Sequence, residues 1–494
     1  IMANSRKQKP QTSGVFTTPD AQKVFGDLYL KGRRTTLRLH LKRELPAFPA
    51  STTITGELGD LRKVSCLDCV IGSSGSEYKG NAGRYHYAEI LPHFVTIGDR
   101  HFAPGEPSIR AVHFTTPDLP SIFYDFGTFG HIFASKSAIE SFAKECEPNH
   151  KIEFGESPEV FYFSGKYEVV AVETPIGRFR VSHQPTFSIG NSFSEYIKNH
   201  MIVSLEYSQP VIFDECIDRM MSIHRFLSVI AGRKQAIESV RMDLVNESTS
   251  THSTLDLHWA FAPKKTKNED NKPQPADVPL DAVRRPEEFK TVLVNWLSRD
   301  PEWRAARIRY AGCTGKGNSY SIDRLVAAAN MFDILPPNAV PATSNLSPEV
   351  TKAQKECREI FKKLAPGVER DSILGALGRL NKPSLTKKVL HRVAIVSDEF
   401  GNRFPDLDLV AKTAVKFRNF FVHGGSDGFD YAKLEPLMPF LTDALEFIFA
   451  TSDLICAGWN AVAWGDKHYG FGHSFTRFRW SYRTNADLLK EVLS

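Results

Sequence analysis

The hydrophobic period of the chain changes once, and that change limits the fold more than any other feature of the sequence. From about Val24 to Pro263 apolar residues recur at every second position. Leu37, Leu39 and Leu41 alternate with Arg38, His40 and Lys42, and "YEVVAVETPIGRFRVSH" sets two such runs on either side of Pro175-Ile176-Gly177. A period of two with a turn between the runs reads as β-hairpins, and "EVFYFSG" just upstream adds another strand. One helical run interrupts this half, "VIFDECIDRMMSIHRFLSVIAG", where Val211, Cys216, Met220, His224 and Leu227 fall near helical spacing and Gly232 closes the run. Beyond Pro286 the spacing becomes i, i+3 or i+4, from "EFKTVLVNWLSRD" through to "LEPLMPFLTDALEFIFATSDLI". That period buries one stripe per helix and predicts a helical bundle.

Between the halves, Lys264 to Pro286 is charged, carries four prolines and has almost no large apolar residue. Such a stretch buries too little to order itself firmly and marks the domain boundary. The expectation is an α+β chain: a disordered start at 1–20, a β-rich domain at 21–263, a linker at 264–286 and a helical domain at 287–494. With 494 residues, 41% of them hydrophobic, there is material for two cores. The net charge of +5 is small for this length, so any nucleic-acid contact has to be local. Seven scattered cysteines suggest a reducing compartment rather than a disulfide framework. The polar start lacks the apolar core of a signal or anchor, and Asp453 and Asn460 interrupt the most apolar window, Phe447 to Trp464, so no membrane span is expected.

Chemistry gathers at "KFRNFFVHGG", Lys416 to Gly425. Arginine five residues before histidine occurs three times in the chain: Arg178 with His183, Arg219 with His224, and Arg418 with His423. The first pair lies in a strand pattern and the second in mid-helix. The third closes a helix whose buried stripe is Val410, Ala414, Phe417 and Phe421, with Asn419 after the arginine and Gly424 after the histidine. Arginine suits a phosphate, and histidine at a helix C-terminus suits proton transfer. The same residues also fit a plain helix end, with the arginine capping carbonyls and the histidine meeting the dipole. A five-residue step turns about 140° on an ideal helix, so the two side chains are expected to meet only if the last turn deforms or a second subunit brings its own pair.

"RNFFVH" resembles the R-N-x3-H form of the R-x4-6-H motif of HEPN domains, and it stands near the end of the penultimate long helix, as in that family. "SYSIDRLVAAANMFDILP" is similar to the opening core helix of the HEPN domains of ApeA-type anti-phage proteins, and "GDLYLKGRRTTLRLHL" followed by "TITGELG" is similar to their N-terminal domain. The resemblance implies a metal-independent endoribonuclease without cofactor, a homodimer in which two motif helices face each other, and a 2′,3′-cyclic phosphate product. Carried onto this sequence, it implies that Arg418 binds and polarises the scissile phosphate, Asn419 positions the helix end and the arginine, and His423 is general base or acid. It further implies a cytoplasmic bacterial protein of abortive-infection defence, acting on host or phage RNA with tRNA a candidate, whose β-rich half meets a phage-derived trigger. The family also allows a non-enzymatic binding and dimerisation module, with a ligand-sensing β-rich half that holds a peptide or sugar. Many relatives carry a glutamate where this chain has Asn330, which leaves an acidic helper of the histidine open, Asp323 and Asp333 being candidates.

Lys416 beside the motif, Lys387, Lys388 and Arg392 in "NKPSLTKKVLHR", and Arg477 and Arg479 in the aromatic-basic stretch "FTRFRWSYR" are candidate RNA contacts. The first cluster also reads as a solvated helix face, and the aromatic-basic stretch as an amphipathic edge packed on the bundle. Cys66 and Cys69 have the spacing of half a zinc site, but no second pair completes it, and three residues along a strand point to opposite faces. "AGCTGKGNSYS" lacks the spacing of a phosphate loop and reads as a connection into a helix after Ser321.

Overall fold

The computed structural model describes residues 11–49, 51–78, 84–146, 148–149, 152–188, 196–245, 253–265, 271–342, 346–424, 430–466 and 470–494. The chain forms two compact units, one of Ile1–Leu227, Gln235–Lys265 and Leu280–Lys290, the other of Ser228–Lys234, Thr266–Pro279 and Thr291–Ser494.

In the first unit the strands are β1 (Gln11–Thr17), β2 (Lys23–Tyr29), β3 (Thr36–Leu41), β4 (Thr52–Leu58), β5 (Lys63–Tyr78), β6 (Arg84–Gly98), β7 (Ile109–Thr115), β8 (Phe129–Phe133), β9 (Glu159–Phe163) and β10 (Glu168–Thr174). They continue with β11 (Gly177–His183), β12 (Thr186–Ser188), β13 (Tyr196–Lys198), β14 (Met201–Val211), β15 (Ser239–Leu244) and β16 (Ser253–Trp259). Helices α1 (Leu119–Ile122), α2 (Lys136–Cys146) and α3 (Phe213–Ala231) are set among them.

Twelve strands make one antiparallel sheet in the order β10-β11-β14-β7-β15-β16-β6-β3-β2-β1-β4-β5. The last strand also pairs with β6, from Lys63↔Gly98 to Tyr78↔Arg84, so β6-β3-β2-β1-β4-β5 closes into a six-stranded barrel. The alternation at Leu37, Leu39 and Leu41 sends those three side chains into the barrel core. Phe16 fills its middle at 0% exposure. Two glycines make the room: a Cβ on Gly26 would lie 2.9 Å from the Phe16 ring, and one on Gly56 would lie 2.6 Å from it.

Three sequence expectations change here. The start expected to be disordered at 1–20 supplies β1 from Gln11 onward, because Phe16 is a core residue; residues 1–10 lie outside the described residues. Of the expected linker, residues 266–270 lie outside the described residues; in the rest, Asp277, Val278, Leu280 and Ala282 are buried, and Asp277 Oδ2 accepts from the Gln274 and Gly472 N–H groups, so apolar residues and one carboxylate oxygen order a part that composition marks as loose. Cys66 and Cys69 both face the barrel core: Asp68 takes φ 50, and between the pairs Ile54↔Cys66 and Thr52↔Cys69 two residues of β5, Leu67 and Asp68, oppose one of β4, Thr53. This bulge restores a shared face to residues three apart.

The second unit is helical: α4 (Pro286–Thr314), which begins in the first unit, then α5 (Ile322–Asp333), α6 (Pro348–Lys362), α7 (Val368–Leu377), α8 (Leu385–Phe400), α9 (Leu407–His423), α10 (Tyr431–Leu434), α11 (Met438–Cys456), α12 (Ala461–Gly465) and α13 (Ser474–Leu493). Ser321, Ser347 and Ser384 cap α5, α6 and α8. Helix α4 runs on through "AGCT", so the connection before Ser321 is shorter than the sequence suggests. α11 packs on α5, α8, α9 and α13 and is buried nearly all round. Its polar residues are matched from neighbouring helices. Arg307 grips Asp453 through Nε–Oδ2 at 2.9 Å and Nη2–Oδ1 at 3.1 Å, and Arg324 grips Glu446 at 2.8 and 2.9 Å. These pairs let charged residues sit inside the most apolar helix. Among the described residues, no helix is long and apolar enough to cross a membrane.

Candidate functional site: the C-terminal end of α9

Val410, Ala414 and Phe417 are buried, which fixes the roll of α9 and leaves Arg418 and Asn419 half-buried at the edge of the stripe. Gly424 ends the helix at φ 68, its N–H donating to the Phe420 carbonyl at 3.0 Å. Phe417, Phe420 and Phe421 all pack on Tyr431, with the Phe420 and Tyr431 rings stacked at 5.9 Å and 6°. His423 is therefore the exposed last residue of an anchored helix end.

Four polar side chains meet there. Arg418 donates to the Asn330 side-chain oxygen from Nη2 at 2.8 Å and from Nε at 3.3 Å. Its Nη1 donates to the Asn419 Oδ1 at 3.0 Å and lies 3.3 Å from His423 Nε2. A guanidinium can only donate, so a hydrogen bond across this distance makes Nε2 the acceptor, which the tautomer with its proton on Nδ1 provides. The expectation that Arg418 and His423 need a deformed turn or a second subunit to meet is corrected: they meet within one chain on an unbroken helix. Side chains lean toward the helix N-terminus, so His423 tilts back toward Arg418, and the long arginine side chain covers the remaining angle.

Asn330, noted in the sequence only as a departure, is the residue that aims Arg418. It comes from α5, which packs on α9. Its oxygen bonds the guanidinium without neutralising it, and among the described residues Arg418 has no ion-pair partner. Neither candidate acidic helper takes that place: Asp323 is exposed, and Asp333 is held by Lys388 at 3.1 Å. Other carboxylates of the bundle are committed elsewhere. Glu446 binds Arg324, and Asp443, pushed up to about 7 by burial and by the neighbouring Glu446, accepts from the Tyr320 hydroxyl at 2.8 Å.

The candidate RNA contacts divide. Lys416 and Lys387 are exposed, but Lys388 bridges to Asp333. Arg392 is not a surface cation: at 2% exposure it donates to Ser452 Oγ at 2.9 Å and lies 5.1 Å over the Trp303 ring, because its helix turns that face into the bundle. Arg477 is half-buried and donates to the Gly472 carbonyl at 3.0 Å, and Arg479 lies 5.9 Å over the Trp464 ring. The interleaved aromatics around them separate by helical face. Phe475, Phe478 and Tyr482 are core, while Trp480 is 75% exposed. The other arginine-histidine pairs are structural, since Arg219 pairs with Glu215 on α3 and the buried His183 bonds Asn199. Cys66 and Cys69 are free thiols, raised by burial, Cys69 to about 12, and no group of three or more metal-ligating side chains is found among the described residues.

Two family models match the chain: ApeA N-terminal domain 1 over residues 11–296 and Apea-like HEPN over residues 326–462. The chain belongs to the ApeA-type HEPN proteins. The HEPN match contains Asn330, Arg418, Asn419 and His423, and the ApeA N-terminal match contains the whole barrel. None of the curated proteins or solved structures matches. In this ApeA-type protein α13, with Arg477 and Arg479, lies beyond the HEPN match.

Proposed function

We propose that this protein is a metal-independent endoribonuclease of anti-phage, abortive-infection defence. The observation that carries the reading is the hydrogen-bonded set Asn330–Arg418–His423 at an anchored helix end, with a guanidinium that no carboxylate among the described residues neutralises. RNA cleavage without metal needs a base for the 2′-hydroxyl proton, a cation for the crowded phosphorane and an acid for the leaving 5′-oxygen. Arg418 supplies the cation. When a phosphate takes the Nη1 donor, it releases the Nε2 lone pair of His423, which is then free to accept the 2′-hydroxyl proton. Asn419 and Asn330 hold the guanidinium in place meanwhile. One imidazole cannot be base and acid in the same step, and a second copy of the chain would bring the other, so the active form is a homodimer. Exposed Lys416 and Lys387 are the candidate backbone contacts, and tRNA is the candidate substrate. The β-rich domain would receive the phage-derived trigger.

The test uses purified protein in EDTA with total tRNA. Wild type should yield fragments ending in 2′,3′-cyclic phosphate, and Arg418→Ala and His423→Ala should yield none while remaining folded and dimeric. Equal cleavage by the His423→Ala protein would falsify the assignment and leave a binding and dimerisation module as the function.

A further inference from the structure

Four short strands of the first unit stand apart from its large sheet. β8 pairs only with β9, from Phe129↔Phe163 to Phe133↔Glu159, and β12 only with β13, from Thr186↔Lys198 to Ser188↔Tyr196, among the described residues. All four line one cleft of about 740 Å³, whose walls are Phe129, Phe161, Tyr162, Phe187, Tyr196 and Ile197. The volume is that of a ligand site, and a wall of aromatic rings with a few hydroxyls is the usual composition of one. The cleft is built rather than accidental. Gly130 carries no side chain where a Cβ would lie 2.8 Å from the Tyr162 hydroxyl, so the tyrosine ring lies across the strand. Several of the rings face water: Phe161 is 67% exposed, Tyr196 52% and Phe187 50%. Exposed aromatics gathered in one place mark an interaction site rather than ordinary surface.

Charge and backbone decide the occupant. Among the described residues the lining holds no carboxylate, ammonium or guanidinium group, and its one imidazole, His131, packs edge-on to the Phe133 ring with centroids 4.5 Å apart. A nucleotide or RNA strand would bring phosphates that need cations, so the cleft favours a neutral guest. Each of the four strands has one side without a strand partner among the described residues, and two-stranded sheets are marginal alone. Open edges of this kind accept an extended chain as an added strand. We propose that the cleft binds an extended, uncharged peptide segment of a protein partner, its alternate aliphatic or aromatic side chains seated between the rings and its backbone bonded to a strand edge. This inference stands apart from the nuclease reading, because it concerns binding alone.

The test is selection of random twelve-residue peptides on the full-length chain, followed by fluorescence anisotropy with labelled synthetic copies. Phe161→Ser and Phe187→Ser replace rings at least half exposed, so both should fold. Leu61→Ser, at 76% exposure in the turn after β4, is the control. The enriched peptides should alternate apolar residues and lack central charges, and each ring variant should weaken them by about tenfold or more, as for aromatic anchors. Methylating alternate peptide nitrogens should weaken binding by about tenfold as well, through loss of the edge hydrogen bonds. The Leu61→Ser protein should bind as wild type does. Failure to enrich any peptide, or equal binding to the ring variants, would overturn the proposal. So would Phe161-dependent binding confined to the competing probes, adenosine monophosphate and a uridine hexamer, which would make the cleft a base-stacking site.

Discussion

Replacing Asn330 by alanine asks whether Arg418 has to be aimed. In the native site one amide oxygen takes two guanidinium donors, at 2.8 and 3.3 Å, and the variant leaves the guanidinium only Asn419 and His423 as neighbours. A hydrogen bond to a charged group is worth about 1.5–3 kcal/mol where water is excluded. Both residues are half-buried and water replaces part of the loss, so about 1–1.5 kcal/mol is expected, or close to a tenfold fall in rate. Orientation matters most in the transition state, so the fall should appear in kcat, with KM for RNA changed by less than about twofold. Asn330→Glu should act differently. Its carboxylate would pair with Arg418 and compete with the phosphate, raising KM while saturated turnover is largely kept. The assay is cleavage of a fluorescence-quenched RNA in EDTA over a range of substrate concentrations, with thermal melting to confirm folding. Wild-type cleavage by Asn330→Ala while Arg418→Ala is inactive, or a loss of kcat at unchanged KM in Asn330→Glu, would show that Asn330 does not aim Arg418.

Other outcomes follow from the same structure. Asp453→Ala takes away two of the charged hydrogen bonds of Arg307, 2% exposed, and leaves it Asp300 at 3.1 Å as its carboxylate, so the second unit should lose about 3 kcal/mol by denaturant titration. His473 caps α13 through Nδ1, which accepts from the Phe475 N–H at 3.1 Å, while Nε2 donates to the Ile230 carbonyl at 3.2 Å. A second ring proton has no place there, and burial pushes the imidazole down to about 3. Below the ordinary histidine range the unfolded chain binds the proton that the folded chain refuses, so stability falls with acid. Between pH 7 and pH 5 wild type should lose about 2 kcal/mol more than His473→Asn, which keeps a capping oxygen; parallel curves for the two proteins would contradict this. In the native protein, Cys146 and Cys456 should react with a thiol reagent, whereas buried Cys66, Cys69, Cys216 and Cys313 should react only after unfolding. Rapid native labelling of Cys66 or Cys69 would contradict their place in the barrel.

Local pattern made much of this molecule legible. Alternation at Leu37, Leu39 and Leu41 marked a strand, Gly177 a hairpin turn, Gly232 and Gly424 helix ends, and Ser321 a helix start. Each of those signals acts within a few residues. What the sequence concealed depends on partners far along the chain. The pairing of β5 with β6 that closes the barrel is fixed by the whole sheet, and the bulge at Asp68 that turns Cys66 and Cys69 to one face is set by the register with β4. Arg392 looked like a solvated cation because its neighbours are lysines, yet Ser452 and Trp303 receive it inside the bundle. At the site itself, Arg418, Asn419 and His423 were legible from the motif and the helix end. The place of Asn330 was legible only through the family likeness, and its bond to Arg418 was not, because it joins residues from two helices. Idealised helix angles gave the wrong answer for Arg418 and His423, since they describe where Cα atoms point and not how far a long side chain reaches.

The most direct measurement is the sequencing of RNA fragment ends, with their terminal phosphates, from bacteria expressing wild type or His423→Ala. Wild-type cells should show new ends bearing 2′,3′-cyclic phosphates, concentrated at defined positions, and cells with His423→Ala none above background. Identical RNA profiles in the two strains, under conditions where wild type arrests growth, would contradict the nuclease assignment.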